Sequence, residues 1–434
     1  MSQTARKDFW IYAFLPFSAA MAASGTLISL FIISSTIGGT VSDIGFISAL
    51  TTLVSLPLTF IWGKLTDDSG KRKIFILIAF ISGFGILFSY FFAVNLTWAN
   101  LTWLVVLGIL SGLLLGAGDT AKTMYIFDKY PPDLWEETIS KYQQRSGIGA
   151  CLGLVFGGFF QTFLNNYALF FFICAILCAV SAVIGFFTIK DVSKDRIAQK
   201  IEKTALINLD LAFYSTLVQP RKILSYKVEA KDQETPTKKQ FTATLGLFFL
   251  GGFTLFLASN LTFTPLAAFV TQDLTIPVSY YFWIFIGYYL VSIIGYTFAG
   301  NWIDRKGNRK ILFIGTLLRI SVYVVFVIFS LIFLVLGMVG SLVLVIILLI
   351  FSGLSYSLQN VALQNCLPRL VQKNMGEILA IYSIIIGVSA ILGSLFSGII
   401  AESLGYSWLF LFSVIFASIA CLIYLITLKK AAIT

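Results

Sequence analysis

Gly63-Lys64-Leu65-Thr66-Asp67-Asp68-Ser69-Gly70-Lys71-Arg72-Lys73 has a second version further along the chain, Gly300-Asn301-Trp302-Ile303-Asp304-Arg305-Lys306-Gly307-Asn308-Arg309-Lys310. Both fit G-x-x-x-D-x-x-G-x-R-K. The residue types suit a short connection between two helices. Gly63 and Gly300 let helices approach closely, and Gly70 and Gly307 suit a tight turn with positive φ. The acid and the basic cluster can bridge neighbouring helix ends, where an N-terminus attracts a carboxylate by ~0.3–1 kcal/mol at exposed sites.

The sequence on either side of both stretches is apolar. Of 434 residues, 58% are hydrophobic and 12% charged, against ~45–50% and ~25% in soluble domains. Mean hydropathy is +0.92. Such a chain cannot present a water-compatible surface, and a helical span needs only ~20 apolar residues. Charge-free runs place spans at about 9–34 and 44–62, two between 74 and 127, and two between 146 and 189. The second half repeats them at about 241–271, 279–299, 311–332, 341–366, 377–400 and 405–428. The expected organisation is a six-helix bundle over 1–190, a charged linker over 191–240 and a second six-helix bundle over 241–434. Within the linker, Ala205 to Val218 reads as a short amphipathic helix at the interface, since Asp210 sits at its centre. The first apolar run is too long for a cleaved signal and reads as the first span.

Net charge is +10, but the positions of the charges argue against a nucleic-acid partner. All but two of the 30 Lys and Arg residues flank spans on one side of the membrane or lie in the linker; the two within spans are Lys122 and Arg319. The opposite loops hold none. Positive-inside asymmetry predicts an even number of spans with both termini and the linker cytoplasmic, in the plasma membrane. There is no histidine. The cysteines, Cys151, Cys174, Cys178, Cys366 and Cys421, sit in or at the ends of apolar runs as small hydrophobes. Neither a metal cluster nor a nucleophile–base pair can be assembled, so no cofactor and no enzymatic activity are expected.

Two copies of the loop, at equivalent places in a plan of six plus six spans, resemble the signature loop of the major facilitator superfamily. The resemblance covers essentially the whole chain. It implies an all-α membrane protein of twelve transmembrane helices whose first, fourth, seventh and tenth spans line a central cavity. Asp68 stands where the family usually has arginine, whereas the second copy keeps Arg305. On this reading Gly63, Asp67, Gly70, Arg72, Gly300, Asp304, Arg305, Gly307, Arg309 and Arg145 form a cytoplasmic gating motif. Asp67 would cap the eleventh span near Asn374–Glu377, and Asp304 the fifth near Arg145–Gly147. Gly149, Gly153 and Gly157 recur every four residues in the fifth span, a small-residue face for close helix packing. That stretch is similar to the family's antiporter-associated motif, with Leu154 where the motif has proline.

Charge inside a membrane marks a functional candidate. Asp119 and Lys122 share one face of the fourth span. Burial raises the pKa of such a carboxylate and a nearby ammonium lowers it, so the pair suits either proton uptake and release or a charged substrate group. Its alternative is a snorkelling lysine with an ion-pair partner. Tyr356, Asn360 and Gln364 form a polar stripe on the tenth span with Gln359 beside it. Asn260, Thr262 and Thr264 in the seventh span and Ser24, Thr26 and Ser29 in the first join them as cavity-lining candidates. Arg319 lies in the ninth span, which the resemblance makes a peripheral support, so snorkelling or a structural role is expected of it.

The expected function is secondary active transport of a small organic solute by alternating access of two bundles, with proton-coupled symport or antiport, drug or metabolite efflux and uniport left open. A lipid flippase on the same fold and a non-transporting membrane receptor are the alternatives. The expected partners are the lipid bilayer, a small-molecule substrate and a proton, with the protein acting as a monomer.

Overall fold

A computed structural model of the chain describes residues 9–34, 37–95, 100–130, 135–164, 166–191, 236–370 and 375–430. At some helical positions only the backbone is described, Asp67, Asp119, Gly300, Asp304 and Gln364 among them. The roles read for those side chains lie outside the described residues, as does the interfacial helix read at 205–218.

Among the described residues there are twelve long helices. The first bundle comprises α1 (Phe14–Ile32, led in by a 3-10 turn at Phe9–Ala13), α2 (Val41–Ser69), α3 (Arg72–Asn95), α4 (Leu101–Lys129), α5 (Trp135–Phe163) and α6 (Tyr167–Thr188). The second comprises α7 (Pro236–Phe263, prolonged by Leu266–Ala268 and a π turn at Phe269–Asp273), α8 (Val278–Lys306), α11 (Met375–Leu404) and α12 (Tyr406–Lys430), with α9 and α10 as the two parts of Asn308–Leu370. Gly337, at φ +66°, divides these as 308–336 and 338–370.

Local chemistry sets the helix starts. Asn100 and Asn166 accept from the backbone N–H groups of Trp103 and Leu169, capping α4 and α6. Thr40 and Asp43 exchange side chain-to-backbone hydrogen bonds ahead of α2. The repeat loops are shorter than hydropathy suggests. Only Gly70 and Lys71 separate α2 from α3, and only Gly307 separates α8 from α9. Hydropathy registers the apolar window, whereas the helices run on into water, where charged faces are solvated. Gly70 and Gly307 have φ of +64° and +79°, the left-handed turn that only glycine adopts without strain.

Large side chains such as Leu334, Val335 and Phe187 face outward, as lipid contact demands. Inside, hydroxyls such as those of Ser24, Thr254 and Thr427 donate to carbonyls of their own helix, whereas the side-chain polar atoms of Gln161, Ser181 and Ser352 are buried with no hydrogen-bond partner among the described residues. Within the first bundle α1 packs on α5 and α6, α2 on α4, and α3 on α4 and α6; within the second α7 packs on α11 and α12, and α8 on the 308–370 pair. Between bundles the extensive contacts are α2 with α11 and α5 with α8.

Candidate transport pathway and its polar site

The seams between bundles depend on small residues. At Gly45, Gly398 and Gly387 an added Cβ would collide with Ser394, with Ser42 and with Leu56 respectively, closing α2 on α11. Gly157 and Gly158 receive the rings of Phe282 and Trp283, and Gly147 receives Ile293, closing α5 on α8. Gly149 and Gly153 abut the backbone of α1 at Leu15 and Ala19. The glycine face of the fifth span is therefore buried in helix packing on both sides.

At the end opposite the termini, α1 meets the Leu266–Ala268 turn and α8. A polar clasp joins the bundles there. Ser42 donates its backbone N–H to Glu402 Oε1 at 2.8 Å and its hydroxyl to Oε2 at 2.5 Å; nearby, within the second bundle, the Thr264 and Ser394 hydroxyls lie 3.2 Å apart and tie the end of α7 to α11. Burial raises the pKa of Glu402, but hydrogen bonds from Ser42, Thr40 and Val41 outweigh it and hold the carboxyl below its ordinary value. A depressed carboxylate stabilises the clasp fully above its unbound pKa, and that contribution is lost as pH falls through the depressed one. Glu402→Gln should raise the population open at this end a few-fold at neutral pH, measured as spin-label distances between the far ends of α1 and α7; acidifying the wild type below the usual carboxylate range should do the same. No change in the distance distribution would remove the clasp from the closed state.

At the termini end Arg72 is buried and its Nε lies 2.9 Å from Asp128 Oδ2, tying α3 to α4. Asp191 accepts from Lys73 N–H at 2.9 Å, fixing the start of α3. Arg145 lies 5.2 Å from the centroid of the Tyr12 ring. Gly63 and Arg309 are half-buried and Arg305 is exposed. Arg145–Gly147 lie well inside α5, whose first residue is Trp135. Their N–H groups are used within the helix, so Asp304 finds no N-terminus to cap there. Helix α11 is described from Met375 onward, and the Asp67 side chain read to cap its start lies outside the described residues.

On α4, Lys122 lies 4.8 Å from the Tyr142 ring centroid of α5. On α1, Ser24 is buried, Thr26 donates to the Ala22 carbonyl and Ser29 is half-buried. On α7, Asn260 donates to the Phe256 carbonyl and Thr262 to that of Ala258.

The structure brings three of the tenth-span candidates together. Tyr356, Gln359 and Asn360 line a small cavity with Leu363, with Leu255, Phe256 and Ser259 of α7, and with Arg319 of α9. Asn360 donates to the Tyr296 hydroxyl at 2.9 Å and Gln359 to Thr316 Oγ1 at 3.4 Å. Arg319 does not snorkel. It is 3% exposed, about 16 Å along the helix from Asn308 at ~1.5 Å per residue, and donates to Ser259 at 2.5 Å and to Ser355 at 3.1 Å. The Tyr288 ring lies beside that of Tyr356, centroids 6.2 Å apart; Tyr288, Tyr296, Ser259 and Ser355 are site neighbours not among the candidates read from the sequence. The aromatic spacing on α8 was the available signal for the tyrosines; for the serines there was none.

The profile described as Major Facilitator Superfamily matches residues 12–247 and 248–433. The chain belongs to the major facilitator superfamily. Among solved structures, the nucleoside transporter NupG aligns with a TM-score of 0.71 at 14% identity, covering 98% of this chain and 99% of that one. The xylose transporter XylE from E. coli, in a partially occluded inward-open conformation, aligns at 0.67 and 14% identity over 97% of both chains. A bacterial homologue of the human lysosomal transporter Spinster aligns at 0.63 and 14% identity over 99% of this chain and 98% of that one. Among characterised proteins, the proton-coupled antiporter flippase LtaA of Staphylococcus aureus is 30% identical over 124 residues. That match spans 28% of this chain and 30% of LtaA, less than a third of either.

Proposed function

We propose that this chain is a secondary active transporter of a small organic solute, residing in the plasma membrane with both termini and the 191–240 linker cytoplasmic. The observation that carries the reading is the pattern of contact between bundles. They meet along two glycine-lined seams, α2/α11 and α5/α8, and are clasped only at the end away from the termini among the described residues. Rocking about these seams would open the clasped end and close the other, which is alternating access. Asp67, at the base of α2, would latch onto the start of α11 in the other half of the cycle.

Asp119 and Lys122 are the proposed coupling pair. Lys122 supplies a fixed positive charge near Tyr142, and Asp119 on the same helix face carries the exchangeable proton. In proteoliposomes with an imposed proton gradient, wild type should concentrate its substrate, whereas Asp119→Asn should lose uphill transport by at least tenfold and retain downhill exchange. Full gradient-driven accumulation by Asp119→Asn would remove Asp119 from the coupling mechanism.

A lipid cargo on the same scaffold is the second reading, supported by the partial likeness to LtaA. Flux of a soluble solute against translocation of a fluorescent lipid, in the same vesicles, separates the two.

A further inference from the structure

Arg319 is the most unusual side chain in the second bundle. Its charge is buried near mid-membrane, yet its acceptors are neutral. The Ser259 hydroxyl accepts from Nη1 while passing its own proton to the Leu255 carbonyl, and the Ser355 hydroxyl accepts from Nε while donating to the Gly315 carbonyl. Nη2 is buried and has no hydrogen-bond partner among the described residues. The carboxylates of residues 241–434 are Asp273, Asp304, Glu377 and Glu402, all within a few residues of helix ends. None lies on α9, α10 or α12 or in the middle of α7. A buried guanidinium whose acceptors among the described residues are all neutral is unfavourable, and structural needs alone would be met by a neutral donor. The arginine also lines the cavity, together with half-buried Phe256, Ser259, Tyr356 and Asn360.

We propose that this cavity between α7, α9 and α10 is an oxyanion subsite, in which Arg319 with Asn360 alongside takes the carboxylate or phosphate of an amphipathic substrate. The planar guanidinium keeps Nη2 available for charge-assisted donation. Tyr356 and Phe263, with ring centroids 5.9 and 6.0 Å from the guanidinium carbon, give the apolar part of the substrate a place against aromatic faces. The cavity as it stands holds about one water-sized group, so the oxyanion would enter as Tyr356 and Asn360 give way, and the remainder of the molecule would extend past Tyr356. This inference deepens the transporter reading and rests on it for the word substrate.

The test pairs anions with neutral isosteres of the same shape. Purified protein in neutral detergent is titrated by thermal shift with phenylacetate against phenylacetamide, and with dihexanoyl phosphatidylglycerol against dihexanoyl phosphatidylcholine. At least one anion is expected to bind wild type ten times more tightly than its neutral partner, and the responding pair tells a soluble anion from a lipid headgroup. The gap should vanish in Arg319→Gln and persist in part in Arg319→Lys. Should Arg319→Gln not fold, Asn360→Leu, which fills the cavity and leaves the charge, should abolish the gap instead. Anions that bind wild type no better than their isosteres overturn the proposal, as does a gap unchanged in these variants. Wild type that carries solute in proteoliposomes without anion discrimination overturns the subsite and leaves the transport reading; wild type that binds the anion through Arg319 but moves no solute does the reverse.

Discussion

Gly153→Leu is expected to yield protein that no longer elutes as a single species and carries no flux. A Cβ at this position would fall within the van der Waals shell of the Ala19 carbonyl oxygen, with the Ala19 carbonyl carbon and Cα close behind. All three are backbone atoms, so no rotamer change relieves the collision and α1 must move off α5. Ordinary overpacking of a core costs ~1–3 kcal/mol because side chains can give way; here the cost should exceed ~3 kcal/mol. Part of the loss is dispersion, since a displaced helix loses contacts along its whole length. Without a hydrophobic drive between helices in lipid, such contacts are a main source of association. Gly85→Leu is the matched control. Gly85 is exposed on α3 and nothing lies within 4 Å of an added Cβ, so the variant should elute and melt like wild type. Fluorescence-detected size exclusion before and after heating measures both. Equal behaviour of the two variants would mean that the α1–α5 contact contributes little to the fold.

That glycine face was legible because its signal is local. Residues 149, 153 and 157 lie four apart, and helix geometry alone places them on one side. The same holds for the positive-φ glycines of the two loops and for Tyr356 and Asn360 on one stripe. Each follows from spacing within a single element. What spacing does not reveal is which element comes alongside. Arg319 reads as a snorkelling or supporting residue because the resemblance makes the ninth span a peripheral support, and spacing within that span shows no partner for it. Its acceptors, Ser259 and Ser355, belong to α7 and α10, and serine in a membrane helix is unremarkable by itself. The clasp between Ser42 and Glu402 links positions at opposite ends of the chain, and only the α2/α11 seam brings them together. Helix ends were misjudged for a related reason. Asp128 reads as the first residue of a polar loop, yet α4 continues through Lys129, because beyond the hydrocarbon a charged residue is no obstacle to a helix.

The continuation of α4 has an energetic consequence, since it delivers Asp128 to Arg72. Arg72 is the arginine of the first repeat loop, and its side chain retains 7% exposure against 18% for Asp128, with Nε and Oδ2 2.9 Å apart. Removing one partner of a buried pair leaves the other charge desolvated without compensation, a loss of ~3–5 kcal/mol in fully buried cases. The partial exposure of Asp128 and the nearby aqueous interface place Arg72→Met at or below the lower end of that range. Asp128→Leu should be the costlier single change, because it takes this carboxylate from the more deeply buried guanidinium. The double variant Arg72→Met/Asp128→Leu should recover much of the loss, since well-packed apolar replacements of buried pairs are often neutral. A cycle of four melting curves then gives an interaction term between ~0.5 and 3 kcal/mol. Simple additivity would show that the two side chains do not sense each other. Because this pair joins α3 to α4 within one bundle, it should alter how much protein is folded and not which way the folded protein faces. Spin-label distances across the clasped end should accordingly match wild type in the double variant, whereas they should shift in Glu402→Gln. A shift in the double variant would instead make Arg72 part of the gate between bundles, and the first loop would then act on transport through its arginine as well as its acid.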